Sequence, residues 1–252
     1  MIDIILFIYI LALGSVIGSF LNVLIYRFPK NISVVKGYSH CPDCDNRLVG
    51  KDLVPIFSFL FLKGKCRYCK KPISYRYPAI EALTAILFAI SYLRFGMSLE
   101  FAINALLLSD LIVIAMIDID TMEILYRTNI FILVLGIVAL VFGINSLTLM
   151  DCIIGMLIVS VPLFVVGYVT GGFGGGDVWL MGAAGFLLGS KATVVAVLIG
   201  IIAGGIFGSI LLYSKKKDKK AEMPFGPWLA IGIYIASLYG TQIADWYLST
   251  LG

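Results

Sequence analysis

Nearly all the chemistry open to this chain rests on four cysteines and a few carboxylates. Cys41-Pro42-Asp43-Cys44 and Cys66-Arg67-Tyr68-Cys69 form two Cys-x-x-Cys pairs with 21 residues between them. Four thiolates at that spacing suit a tetrahedral zinc, each pair supplying two sulfurs from one side of the metal. With every ligand position filled by protein, such a metal organises a loop and does not activate water. Two disulfides or a redox-active pair are the competing readings, and disulfides need an oxidising compartment. The basic content of the segment favours the cytoplasm and so the metal. His40, the only histidine, stands beside Cys41 and reads as a solvated loop residue or a fifth candidate ligand. Cys152 stands alone and reads as a small apolar residue. With one histidine, Ser-His and Cys-His nucleophile arrangements have little to work with.

The acids are the second group. Glu81, Asp110, Asp118, Asp120, Glu123 and Asp177 lie in or at the ends of apolar stretches. There a central charge costs about 2.5–3.5 kcal/mol even on lenient scales. Asp118 and Asp120 close one stretch in the run Ile117-Asp118-Ile119-Asp120, and Asp177 follows Gly174-Gly175-Gly176. Two carboxylates from separate helices could meet at one recessed place and share a proton, since close like charges do not both ionise easily. The protonated acid would polarise a peptide carbonyl while the ionised one takes a proton from water, and the titration would belong to the pair. Glycines before Asp177 would let backbone approach an extended substrate. The bland readings stand beside these. Asp120 and Glu123 read as interfacial and solvated, Asp110 as a hydrogen-bond partner for a neighbouring helix, and the glycine run as close helix packing.

What must position these groups follows from composition. Of 252 residues, 60% are hydrophobic and 13% charged, with a mean hydropathy of +1.02. A soluble globule is nearer 45–50% apolar and about 25% charged, so a water-soluble enzyme and a disordered chain are both excluded. The chain belongs in a bilayer, whose core needs roughly 20 apolar helical residues per crossing. Residues 4–26 form the first such run, without a basic n-region or cleavage pattern, so it reads as a retained helix. A polar loop follows, and further spans are expected near 79–97, 99–119, 128–146, 152–170, 177–190, 192–213 and 225–249. The expected fold is therefore all-α and polytopic, with about eight transmembrane helices and a cytoplasmic zinc-binding loop after helix 1. Its divisions are 1–26, 27–78 and 79–252. Runs this continuously apolar do not alternate as barrel strands would.

Eleven of the nineteen Lys and Arg residues lie between Arg27 and Arg76, and five more in Lys215–Lys220. In a membrane protein such clusters report topology before nucleic acid, because basic loops stay in the cytoplasm. An eight-helix count puts both clusters and the 119–128 and 171–177 turns on the cytoplasmic side, with the N-terminus outside. The segment 178–189 is too short to cross unless it begins within 171–177. Broken backbone at that depth is tolerated only where it is buried or lines a wet cavity, which implies a recessed site.

The residues resemble the type IV prepilin peptidase family, the bifunctional leader peptidases and N-methyltransferases of the GxGD aspartic protease group. The resemblance spans nearly the whole chain. It runs from Gly18-Ser19-Phe20-Leu21-Asn22-Val23 through Tyr26-Arg27 and Pro29, the paired Cys-x-x-Cys loop, and Tyr75-Arg76-Tyr77-Pro78 with Glu81. It continues through Asp118-x-Asp120, Gly174-x-Gly176-Asp177 and Pro224-Phe225-Gly226-Pro227. It implies a catalytic pair at Asp118 and Asp177 and zinc at Cys41, Cys44, Cys66 and Cys69, with Gly174, Gly176, Asp120 and Glu81 in support. It also implies cleavage of a short basic leader from prepilins or pseudopilins at the cytoplasmic face of a bacterial inner membrane. Methylation of the new N-terminus with S-adenosylmethionine would follow. The substrate's hydrophobic N-terminal helix would lie in lipid against the enzyme's own helices, and no nucleic-acid partner is implied. One departure is Ile124-Leu125-Tyr126, where the family carries an Ile-Pro-Asp run. A cation- or proton-coupled transporter would account for the intramembrane acids but not for the zinc loop. A non-catalytic zinc scaffold would bind prepilin and leave its length unchanged.

Overall fold

The structure is a computed structural model that describes residues 2–144, 146–172, 174–213 and 223–250; the basic run Lys215–Lys220 lies outside them. The described residues form eight α-helices and no strand. They are α1 (Ile2–Arg27), α2 (Phe57–Phe61), α3 (Arg76–Phe95), α4 (Leu99–Thr121), α5 (Tyr126–Val141), α6 (Leu149–Thr170), α7 (Gly175–Tyr213) and α8 (Gly226–Ser249). Five of them, α1, α3, α4, α6 and α7, are long and apolar enough to cross a bilayer, and α5 is apolar but shorter. The chain is a multi-pass membrane protein.

Two expectations change in detail. The spans expected at 177–190 and 192–213 are two arms of α7, joined at Gly189, whose φ of 77° and ψ of 173° are not helical. An unbroken helix of 39 residues would run about 58 Å, nearly twice the hydrocarbon thickness, so the break is what fits α7 to a bilayer. The first arm begins at Gly175, inside the glycine run and not after it. The loop between α1 and α3 also contains a short helix, α2, that apolar periodicity did not single out.

The chain separates into two compact units, Met1–Phe101 and Ala102–Gly252. In the first, α1 packs on α3 through Gly14 and Gly18. A Cβ on Gly14 would lie 2.7 Å from Ala85 Cα, and one on Gly18 would lie 2.8 Å from Glu81 Cα. This is the small-xxx-small contact by which membrane helices approach closely without a hydrophobic drive. Asn22, buried one turn on, donates to the carbonyls of Gly18 and Tyr77.

The second unit repeats the device. Gly155 of α6 lies against Gly185 on the first arm of α7, and Gly136 of α5 against Phe186 and Leu187. Gly232 and Gly240 of α8 pack on Ala196 and Ala192 of the second arm. Asp151 at the start of α6 accepts from the Ser190 N–H and hydroxyl. It thus caps the second arm where Gly189 has interrupted the backbone ladder. Cys152 is buried beside it, as a small apolar residue would be.

Candidate functional site

Asp118 lies three residues from the end of α4 and is buried. Its Oδ2 accepts the Gly226 N–H at 2.8 Å, across 108 residues of sequence. Gly226 opens α8, and proline follows it in the first turn. Pro227 has no N–H and is preset for that turn, so the carboxylate meets Gly226's donor at the positive end of the helix dipole. The fit is close: a Cβ on Gly226 would lie 2.8 Å from Asp118 Oδ2 and 3.1 Å from its Cγ.

Asp177 occupies the first turn of α7 and is also buried. Its Oδ2 accepts the Gly174 N–H at 3.1 Å, while its own N–H donates to the Gly174 carbonyl, also at 3.1 Å. The pair is one half of a capping box, with a carboxylate reaching back to the residue before the helix. Both carboxylates belong to the second unit, on different helices, and each is held by a glycine N–H at a helix start.

Gly175 and Gly176 are already helical, and Gly176 faces the α4–α5 turn. A Cβ there would lie 2.9 Å from Ile124 Cβ. Steric closeness to that turn requires glycine at this position. The Ile124-Leu125-Tyr126 departure thus has a structural place. Met122 takes φ of 58°, Leu125 is extended, and α5 begins at Tyr126.

Asp120 and Glu123 are exposed at the end of α4 and just beyond it. Asp110, two helical turns before Asp118, keeps a buried Oδ2 with no hydrogen-bond partner, so it makes no bond to a neighbouring helix through that atom. Glu81 belongs to the other unit. There its Oε2 accepts the Ile56 N–H at 2.7 Å. Gly226 lies in the Pro224-Phe225-Gly226-Pro227 motif that carries part of the resemblance, but no role is assigned to it from sequence; the prolines around it mark a helix start with a spare donor.

The cysteine loop, in the N-terminal unit, is built from two copies of one turn. The Cys41 N–H donates to the Asn46 carbonyl and the Asp45 N–H to the Cys41 carbonyl; Cys66, Lys71 and Lys70 repeat both bonds. Asp45 (φ 55°) and Lys70 (φ 64°) take the left-handed conformation that closes each turn. The outer bonds match as well, Leu48 to Ser39 and Ile73 to Gly64. The four Sγ atoms all lie within 4.8 Å of one another. Thiolates about 2.3 Å from a tetrahedral zinc are about 3.8 Å apart, and the Cys41 and Cys69 Sγ atoms are 3.9 Å apart, so the cluster can hold a metal. All four are free thiols. Burial pushes the Cys41 thiol up to about 11, whereas the Cys69 backbone N–H helps bring Cys66 down to about 7. Exposed His40 is outside the cluster, hydrogen-bonding the Tyr38 carbonyl through Nδ1.

Residues 12–95 match the bacterial peptidase A24 N-terminal domain, and residues 105–209 match the type IV leader peptidase family. The chain is 37% identical over 238 residues to the prepilin leader peptidase/N-methyltransferase of Bacillus subtilis (strain 168), covering 93% of this chain and 95% of that one. Against the protein of the same name from Xanthomonas campestris pv. campestris it is 33% identical over 271 residues, covering 95% and 93%. The Stutzerimonas stutzeri protein, also of that name, is 31% identical over 267 residues, covering 94% and 92%. No solved structure matches the chain. Near full-length similarity to proteins of one name, together with both domain matches, means that the chain belongs to the type IV leader peptidase family.

Proposed function

We propose that this protein is a membrane aspartic endopeptidase that removes the leader from prepilins or pseudopilins and then N-methylates the new terminus. The observation that carries the reading is that two buried carboxylates from different helices of one unit, Asp118 and Asp177, are each held by a glycine N–H at a helix start. A pair of this kind shares one proton. The protonated member polarises the scissile carbonyl; the ionised member takes a proton from water as it attacks. Protons are then passed to the leaving amine, and the roles belong to the pair, not to either residue. The N–H groups of Gly226 and Gly174 fix the two carboxylates in place, so little reorganisation remains for the reaction. Gly176 supports the pair by admitting the Ile124 turn, and exposed Asp120 adds negative charge near the pair.

Substrates of this reading carry a short basic leader and a hydrophobic N-terminal helix that reaches the site through lipid. The protein sits in a bacterial inner membrane with its N-terminus outside and with the cysteine loop and aspartates on the cytoplasmic side. That orientation follows from the basic content of residues 27–76. The metal of the loop is zinc, held by Cys41, Cys44, Cys66 and Cys69. S-adenosylmethionine supplies the electrophilic methyl group when bound.

The test is cleavage of a leader-bearing prepilin by purified wild type, Asp118→Asn and Asp177→Asn, with product masses read with and without S-adenosylmethionine. Wild type alone should release the leader, and with the donor present the product should gain one methylene. Cleavage by both variants at the wild-type rate would overturn the reading.

A further inference from the structure

The short helix α2 turns two faces to its surroundings. Ser58 and Phe59, with Leu62 just after the helix, look inward at the space that the cysteine loop encloses against α1 and α3. Phe57, Leu60 and Phe61 look outward and are 60%, 62% and 84% exposed. Positions i, i+3 and i+4 share one side of a helix, and Val54, exposed ahead of α2, extends that side. A contiguous exposed apolar patch marks an interaction site.

The depth of α2 is set by α3. The Glu81 carboxylate accepts the Ile56 N–H at 2.7 Å, and Glu81 stands five residues into α3, about 8 Å along its axis. A helical side chain leans toward its own N-terminus, so this bond holds the start of α2 beside the first turns of α3. Phe59 meets the ring of Tyr75 edge-on at 5.3 Å, and Tyr75 is the residue before α3. Both α1 and α3 are long and apolar enough to cross a bilayer. α2 is therefore pinned at the level where α3 enters the membrane.

The pinning strains the backbone. The Phe57 N–H donates to the Pro55 carbonyl, closing a γ-turn with Ile56 at φ 63° and ψ −53°. This is the rare form of that turn, and a β-branched residue is a poor occupant of positive φ. Such strain persists only where the surroundings over-determine it. The Glu81 bond and the Phe59–Tyr75 contact do so here, and what they maintain is the outward face of α2.

The charge around the patch selects what covers it. Residues 51–76 carry seven Lys or Arg and one acid, Asp52, which is paired with Arg67 at 2.6 Å. Lys63 and Lys65 follow α2 directly and are exposed. Lysine stems lie along apolar surface with the ammonium held out in the polar layer, and a basic flank attracts anionic lipid.

We propose that α2 is a membrane-interface anchor: Phe57, Leu60 and Phe61 insert at the boundary of headgroups and acyl chains beside α3, and Lys63 and Lys65 contact anionic phospholipid headgroups. The anchor ties one edge of the cysteine loop to the bilayer surface. It needs only that α1 and α3 cross the membrane, and it does not rest on the peptidase or methyl-transfer reading.

The experiment is photo-crosslinking of purified full-length protein in vesicles of equal parts phosphatidylglycerol and phosphatidylcholine, with adducts read by intact mass. p-Benzoylphenylalanine replaces Phe57, Phe61 or, as a reference, Tyr68, an aromatic of the second cysteine turn that is 41% exposed. Positions 57 and 61 should give lipid adducts at least about fivefold more often than position 68, with phosphatidylglycerol over-represented. Lys63→Glu combined with Lys65→Glu should lower the phosphatidylglycerol share by about threefold. Metal content reports whether each variant has folded.

Adducts at 57 and 61 no more frequent than at 68 would overturn the anchor, since exposed aromatic character alone would then account for them. Adducts of doubled protein mass in place of lipid adducts would overturn it as well, in favour of a second copy of the chain. A phosphatidylglycerol share that the lysine variant leaves unchanged would overturn the headgroup contact.

Discussion

The two units order polar groups by different means. In the cysteine loop, order comes from hydrogen bonds and ligands. Paired turns repeat the same backbone bonds around Cys41 and Cys66, and Arg27 gathers three carbonyls of the chain that follows α1. In the aspartate unit, order comes from backbone closeness. Glycines at 155, 185, 226 and 232 let helix backbones or a carboxylate approach where a methyl group has no room. The difference teaches where each unit is fragile. A loop with little apolar core would depend on a metal held by its four cysteines, because metal binding is then folding free energy. A glycine-packed bundle tolerates loss of a metal but not an added methyl group.

The largest effect should come from the aspartates. Asp118→Asn or Asp177→Asn keeps volume and hydrogen-bonding shape but removes the proton that the proposed pair would share, and cleavage should fall by about 10³-fold or more. Metal content, set by the cysteine cluster of the other unit, should stay at its wild-type level. Rates from single-turnover cleavage and metal analysis of the same samples check this. A variant that lost both together would break the division between the units.

Metal removal is the reverse test. A strong chelator, or Cys66→Ser, should open the loop and abolish methylation. Cleavage should persist within about tenfold, because the cysteines form no part of the aspartate pair. Product mass distinguishes the two outcomes directly. Loss of cleavage equal to that of Asp177→Asn would show that the loop is required for the peptidase as well.

How much of this was legible in the sequence follows the same division. The cysteine spacing and the two aspartate motifs are local signals, so their residues could be named from sequence; the structure clusters the four Sγ atoms and puts both aspartates at helix ends in one unit. The seven long helices were visible as apolar runs for the same reason, with α7 read as two, whereas the short α2 was not. The role of Gly226 was not visible, because its contact with Asp118 spans 108 residues and depends on where α8 begins. The helical state of Gly175 and Gly176 was not legible either, since a glycine run reads as broken backbone until the Ile124 turn is seen against it. The link across Gly189 was hidden because Gly189-Ser190-Lys191 resembles a turn, while Asp151, the side chain that caps the second arm, lies 39 residues away.

Gly226→Ala should be the next effect down. The new methyl would lie 2.8 Å from Asp118 Oδ2 and 3.2 Å from its Cβ, so α8 or the carboxylate must shift by several tenths of an ångström. A displacement of that size in a catalytic pair is expected to cost about 10–100-fold in kcat, with KM nearly unchanged. Gly185→Ala, by contrast, places its methyl against the Gly155 carbonyl, away from the carboxylates. It should cost about 1–3 kcal/mol of stability and leave the rate per folded molecule intact. Thermal unfolding in detergent, followed by activity normalised to folded protein, separates an active-site shift from a packing cost.

The smallest effect belongs to Asp52. Burial alone would raise its carboxyl, but the Arg67 hydrogen bond and the Val49 N–H outweigh it and hold the group below the usual carboxylate range. A group depressed on folding contributes stability that is present above its unfolded value of about 3.9 and lost as pH falls through the folded value. Arg67 is 39% exposed, so water screens the pair and the contribution is modest, less than about 1 kcal/mol. Asp52→Asn should therefore lower the loop's stability at pH 7 and flatten its decline between pH 5 and 3 relative to wild type. Acid also protonates cysteine ligands, which makes the wild-type curve alone ambiguous; the difference between the two proteins at equal metal loading isolates the carboxyl. Parallel curves would mean that Asp52 is held by packing and not by its charge.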